Sequence, residues 1–159
     1  MSTDLDALFM ARTIALSREH MSAGHGGPFG AVVVVDGKVV AEGWNQVTST
    51  NDPTAHAEVV AIRRACTALN RFDLRGATLY TSCEPCPMCL CSALWARVDR
   101  IVYANTRDDA AAIGFDDAPF YAEMVRAPAV TMARMDHAPS DEAWEVFREW
   151  AAKPDKVEY

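Results

Sequence analysis

No stretch of the sequence approaches the ~18 consecutive apolar residues that a membrane-spanning helix requires. The opening residues include Asp4 and Asp6 and lack the basic and then apolar pattern of a secretory leader, so a soluble, cytoplasmic protein is expected. Positive charge is scarce as well. Fifteen Lys and Arg stand against 22 Asp and Glu, a net charge of -7. Arg63 and Arg64 adjoin, but the other basic residues are scattered. The concentrated patch that grips a phosphate backbone is therefore missing, which argues for a small, weakly charged substrate rather than nucleic acid. There is no internal repeat, low-complexity tract or linker, so residues 1–159 read as a single domain.

What is present in quantity is ordinary for a globular chain: 50% apolar and 23% charged residues. The cysteines are not ordinary. There are five, and Cys83, Cys86, Cys89 and Cys91 crowd into one short run. An odd number so clustered makes a poor disulfide framework. In a reducing compartment such a cluster binds metal or does chemistry.

Leu5, Leu8, Phe9 and Leu16 recur at helical spacing near the start. The run GHGGPFG (24–30) reads as a turn-rich loop, followed by β-prone residues 31–35 and 39–41 joined at Asp36-Gly37, a hairpin signal. Asp52-Pro53 looks like a helix cap followed by proline in the first helical position, with Ala55, Val59, Ile62, Cys66 and Leu69 as the apolar stripe. Residues 78–82 and 101–104 predict strands, and 85–96 a helix. Ser140 predicts the cap of a last helix whose Ala143, Val146, Phe147 and Trp150 share a face. Strands alternating with helices imply an α/β layered domain. Residues 118–138 give little signal.

Two short segments carry the chemistry: His56-Ala57-Glu58, and Pro85-Cys86-Pro87-Met88-Cys89. Zinc accepts His nitrogen and Cys sulfur, and a catalytic zinc keeps three protein ligands and an open position for water. Cys86 and Cys89, three apart, share a helix face and can bind one ion, with His56 as third ligand. Two thiolates and a neutral imidazole cancel the charge of Zn²⁺. Glu58 lies roughly 200° around the helix from His56. First-turn side chains lean back toward the helix start, however, so both can converge beyond its end, the carboxylate serving as an unligated general acid/base. Spacing leaves one ambiguity, because Cys83 and Cys86 form a Cys-x-x-Cys pair too. With Cys83 as fourth ligand the site would be a closed structural zinc.

His56-x-Glu58 with Pro85-Cys86-x-x-Cys89 resembles the signature of the zinc nucleobase deaminases. More narrowly, NDPTAHAE (51–58), TSCEPCPMC (81–89) and GFDD (114–117) resemble bacterial guanine deaminases of the cytidine-deaminase-like superfamily. The resemblance implies a three-layer α/β/α sandwich around a mixed five-stranded sheet. It implies one zinc per subunit and hydrolysis of guanine to xanthine and ammonia, with Glu58 moving the protons. It assigns Asp117 as a second carboxylate near the leaving amine, Asn45 as a base-edge hydrogen-bonder, Ala57 as a further substrate contact, and Phe29 and Trp95 as pocket lining. It also implies a homodimer, with swapped C-terminal segments whose tail, 153–159, closes over a site and brings Tyr159 to the substrate. Guanosine or an aminotriazine are alternative substrates. A tRNA adenosine deaminase and a non-catalytic zinc module are the competing readings. Without the resemblance, Asp116 and Asp117 would serve as helix caps, Asn45 as a turn residue, Phe29 and Trp95 as core, and the tail as a frayed end.

Overall fold

The computed structural model describes residues 3–127 and 129–158. Helix α1 (Thr3–Ser22) buries Phe9, Thr13 and Leu16, while Leu5 and Leu8 stay exposed. The apolar spacing read from the sequence thus mixed two faces, and a threonine completes the buried stripe. It can do so because its hydroxyl donates to the Phe9 carbonyl at 2.8 Å, one turn back.

Strands β1 (Gly30–Val35) and β2 (Lys38–Trp44) pair antiparallel. Asp36 and Gly37 both take left-handed angles, φ 50° and 71°, matching the hairpin signal. A short helix α2 (Val47–Thr50) follows, then α3 (Ala57–Leu69), β3 (Ala77–Cys83), α4 (Pro87–Trp95), β4 (Arg100–Asn105) and α5 (Arg107–Ala112). Helix α3 starts later than Asp52-Pro53 suggested. The Asp52 carboxylate caps its own local turn instead, accepting from the Thr54 amide at 2.8 Å and hydroxyl at 2.6 Å.

These elements form the first of two compact units, which ends at Asp117. Its sheet runs β2-β1-β3-β4, with β1 antiparallel to β2 and β3, and β3 parallel to β4. Side chains alternate across it. Ala31, Val33 and Leu79 pack with Ala57, Ala61, Ile62 and Ala65 of α3 on one face. Val32, Val34 and Tyr80 pack with Phe9 and Leu16 of α1 on the other. Helices on both faces of one sheet make the expected three layers. At Gly43 of β2 an added Cβ would lie 2.2 Å from the Ala57 carbonyl, so glycine is what lets the start of α3 sit against the strand.

The sheet has four strands among the described residues, not the five expected. The second unit, residues 118–159, holds α6 (Ala118–Arg126) and α7 (Asp141–Ala152). Residues 129–139 between them are bends and irregular backbone. A ladder there would need backbone N–H groups that are otherwise engaged. The buried Glu123 carboxylate of α6 accepts from the Thr131 amide, from the Thr131 hydroxyl at 2.7 Å and from the Met132 amide at 3.0 Å. Helix α7 starts at Ser140 as predicted, its hydroxyl accepting from the Ala143 amide at 3.2 Å. Trp144, Phe147 and Trp150 of α7 are exposed. Among the described residues no helix is long and apolar enough to cross a membrane.

Candidate metal and active site

His56 and Cys86 occupy equivalent places. Each is the residue before a helix, with extended backbone angles (φ -68°, ψ 155° before α3; φ -64°, ψ 168° before α4), and neither caps its helix with its side chain. Pro87 at the first position of α4 fixes the helical φ and has no amide of its own left to satisfy. The imidazole and the thiol are thereby free to turn toward each other. Cys89, one turn into α4, joins them on the same face. His56 Nδ1 lies 3.6 Å from Cys86 Sγ and 3.5 Å from Cys89 Sγ. All three donor atoms fall within 4.8 Å of one another.

That spacing is what one tetrahedral ion needs. Zinc bonds of roughly 2.0 Å to nitrogen and 2.3 Å to sulfur, at the tetrahedral angle, separate the two donors by about 3.6 Å. The group comprises three residues, and Cys83 stands outside it. Its thiol donates to the Thr106 carbonyl at 3.6 Å, and burial pushes its pKa up to about 11. Of the two Cys-x-x-Cys pairs, it is Cys86 and Cys89 that lie together with His56. Hydrogen bonding from the Cys89 thiol, and then from His56, holds Cys86 down to about 4, so one thiolate is already favoured. Burial and the Cys86 thiolate push Cys89 the other way. The donor set fits a zinc ion with one position left for solvent.

Glu58 lies beside this group, buried, with Oε2 3.4 Å from the Cys89 sulfur and Oε1 3.3 Å from the Thr81 hydroxyl. Burial raises its carboxyl pKa, and the nearby Cys86 thiolate adds to that. Convergence of His56 and Glu58 beyond the helix start is as the geometry of a first turn requires. Asp117, half-buried in the loop after α5, also has its pKa raised by burial and then by the charge of Cys86, which puts it in the same electrostatic neighbourhood.

Asn45, just past β2, is buried. Its Oδ1 accepts from the amides of Gly27 at 3.2 Å and Val47 at 3.3 Å, and its own amide donates to the Phe29 carbonyl at 3.1 Å. It is both a turn residue and a brace for the glycine-rich loop. With its carbonyl so engaged, the atom it can offer a ligand is the carboxamide nitrogen. Phe29, half-buried, meets Phe115 edge-on with ring centroids 4.9 Å apart. Ala57, fully buried, separates ligand from carboxylate in the first turn of α3. Trp95 is not brought to the group. It ends α4, about 9 Å along the axis from Cys89, and is 65% exposed in a surface groove with Cys91, Leu94 and Arg97. Cys91 is half-buried there. Tyr159 lies outside the described residues.

Sequence reasoning passed over Phe115 and Thr81. Phe115 sits inside the GFDD motif, and a closer look at that motif's aromatic would have found it. For Thr81 the signal was a polar residue in a strand row otherwise apolar.

The profile of the cytidine and deoxycytidylate deaminase zinc-binding region matches residues 3–105. A guanine deaminase from Bacillus subtilis (strain 168) is 48% identical over 145 residues, spanning 87% of this chain and 93% of that protein. The crystal structure of guanine deaminase from Bacillus subtilis matches with a TM-score of 0.93 at 45% identity, covering 100% of this chain and 99% of that one. A tRNA-specific adenosine deaminase from Agrobacterium fabrum is 49% identical over 76 residues, covering 48% of this chain and 50% of that protein.

Proposed function

The chain belongs to the cytidine and deoxycytidylate deaminase zinc-binding family, and from that premise we propose that it hydrolyses free guanine to xanthine and ammonia. The observation that carries this reading is the three-donor group His56, Cys86 and Cys89 with an unligated, buried carboxylate, Glu58, beside it. Likeness to a guanine deaminase over 87% of the chain, against 48% for a tRNA-directed relative, supports the substrate.

When bound by these three residues, zinc supplies Lewis-acid activation of the attacking water. Glu58 takes the proton that this water loses and hands it to the purine ring, then helps move the second proton to the amine, so that ammonia leaves. Its buried, raised carboxyl suits a group that must both accept and give. Asp117 stands as a second carboxylate for the leaving amine. The Asn45 carboxamide nitrogen and the start of α3 at Ala57 position the base. Phe29, steadied edge-on by Phe115, offers a flat apolar wall, and stacking of a base on an aromatic ring is worth about 1–3 kcal/mol in nucleic-acid systems.

We further propose a homodimer with one zinc per subunit, whose tail, 153–159, closes over a site of its own or the partner subunit; the exposed Trp144, Phe147 and Trp150 of α7 support the pairing of subunits. Five free cysteines, two of them ligands, suit a reducing cytoplasm. Purified zinc-loaded protein incubated with guanine should release ammonia and shift the ultraviolet spectrum to that of xanthine. Turnover of guanosine or an aminotriazine in place of guanine would overturn the substrate and leave the chemistry standing. Salt-dependent tRNA binding with adenosine turnover would favour the nucleic-acid reading instead.

A further inference from the structure

Thr81 occupies a place where strand β3 gives every reason for an aliphatic residue. Ala77 and Leu79 lie on the face packed by α3, and Thr81 is next in that alternating row, while Tyr80 points to the α1 face. Thr81 pairs with Ala31 on one side and Tyr103 on the other, and is 1% exposed. Valine has the same shape and would fill the position without taking a hydroxyl out of water. The hydroxyl is therefore there for its bonds. Its one proton is shared between two acceptors, the Cys83 carbonyl at 3.0 Å and Glu58 Oε1 at 3.3 Å. The first contact, within the strand, fixes the hydroxyl's rotamer. The second reaches across to α3. Oε2 of Glu58 faces the three-donor group, 3.4 Å from the Cys89 sulfur, so the sheet holds one carboxylate oxygen and leaves the other turned toward the group.

We propose that Thr81 is a positioning residue for Glu58. Its hydroxyl anchors one carboxylate oxygen to the rigid middle of the sheet, so that the side chain stays aimed at the attacking water and does not swing inward to become a fourth ligand. This rests on the reading of Glu58 as the proton carrier. The hold is local to Glu58 and touches neither the substrate nor a metal ligand directly, so it acts on the chemical step more than on binding.

Thr81→Val removes the hydroxyl at constant shape, and Thr81→Ser keeps the hydroxyl and loses the methyl. In the zinc-loaded protein, Thr81→Val should lower kcat about 10- to 100-fold, the worth of a hydrogen bond to a charged group, with KM and zinc content unchanged. Thr81→Ser should recover most of the lost turnover. A second readout needs no turnover. With glutamate side-chain carboxyls labelled with carbon-13, and the Glu58 signal assigned through Glu58→Gln, that signal should shift in Thr81→Val and return in Thr81→Ser. Wild-type kcat in Thr81→Val, equal impairment of the serine and valine variants, loss of zinc in Thr81→Val, or an unmoved Glu58 signal would each overturn the proposal. A wild-type protein inert toward guanine would overturn the proposed substrate instead, and the carboxyl signal would still decide the role of Thr81.

Discussion

Helices α3 and α4 begin differently from α5 and α7, and the difference separates site from scaffold. Thr106 before α5 makes a full capping box with Asp109, its hydroxyl accepting from the Asp109 amide at 3.3 Å and its own amide donating to the Asp109 carboxylate at 2.8 Å. Ser140 before α7 caps with its hydroxyl alone, accepting from the Ala143 amide. His56 and Cys86 stand at the same structural position with no side-chain cap. Such a cap is typically worth about 1 kcal/mol. Forgoing it at two helices leaves the first turns of both without a side-chain cap beside the three-donor group, where the positive end of a helix favours thiolate and carboxylate. Stability has been exchanged there for a convergent, anion-friendly site.

Cys86→Ser breaks that contrast most severely, because it puts a capping side chain where a ligand belongs. Zinc content should fall from one ion per chain to nearly none and turnover to background, although the serine can now cap α4. Metal analysis with a turnover assay checks this, and full zinc retention would mean Cys86 is not a ligand. Thr106→Ala probes the other class. It should cost about 1 kcal/mol of stability in denaturant unfolding and leave zinc content and KM as they were. The smallest effect concerns a bond remote from either kind of helix start. Arg100, and then the Tyr80 hydroxyl, hold the Asp6 carboxyl at about 2, below the 3.8 of a free aspartate. Because the folded-state value is the depressed one, its contribution is complete above about pH 4 and is lost as pH falls toward 2. Asp6→Asn should lower stability near pH 7 slightly and flatten its fall between about pH 4 and 2, followed by circular dichroism, so that variant and wild type converge at the acid end.

What could be read from the sequence follows the same division. Ligand spacing survives folding, so His56, Cys86, Cys89 and Glu58 were legible from two short segments. The Asp36-Gly37 hairpin and the Ser140 cap were legible because their physics is local. Asp52 misled because a local turn outcompeted a helix cap for the same carboxylate. The fifth strand came from the resemblance alone, with no spacing or composition in the sequence to place it, and the sheet has four strands among the described residues. Leu5 and Leu8 looked like core because periodicity cannot say which face of α1 the sheet will cover. Thr81 stood out as a polar residue in an apolar row, but its role could not be read for a related reason. Its partner Glu58 is 23 residues distant and meets it only when α3 docks on the sheet.

The most direct test of a three-ligand metal with a separate proton carrier is to measure zinc and guanine turnover side by side on Glu58→Gln. That variant should keep one zinc per chain and lose at least ~10²-fold in kcat. Zinc lost together with activity would make Glu58 a ligand, and activity near the wild-type level would remove it from the chemistry altogether.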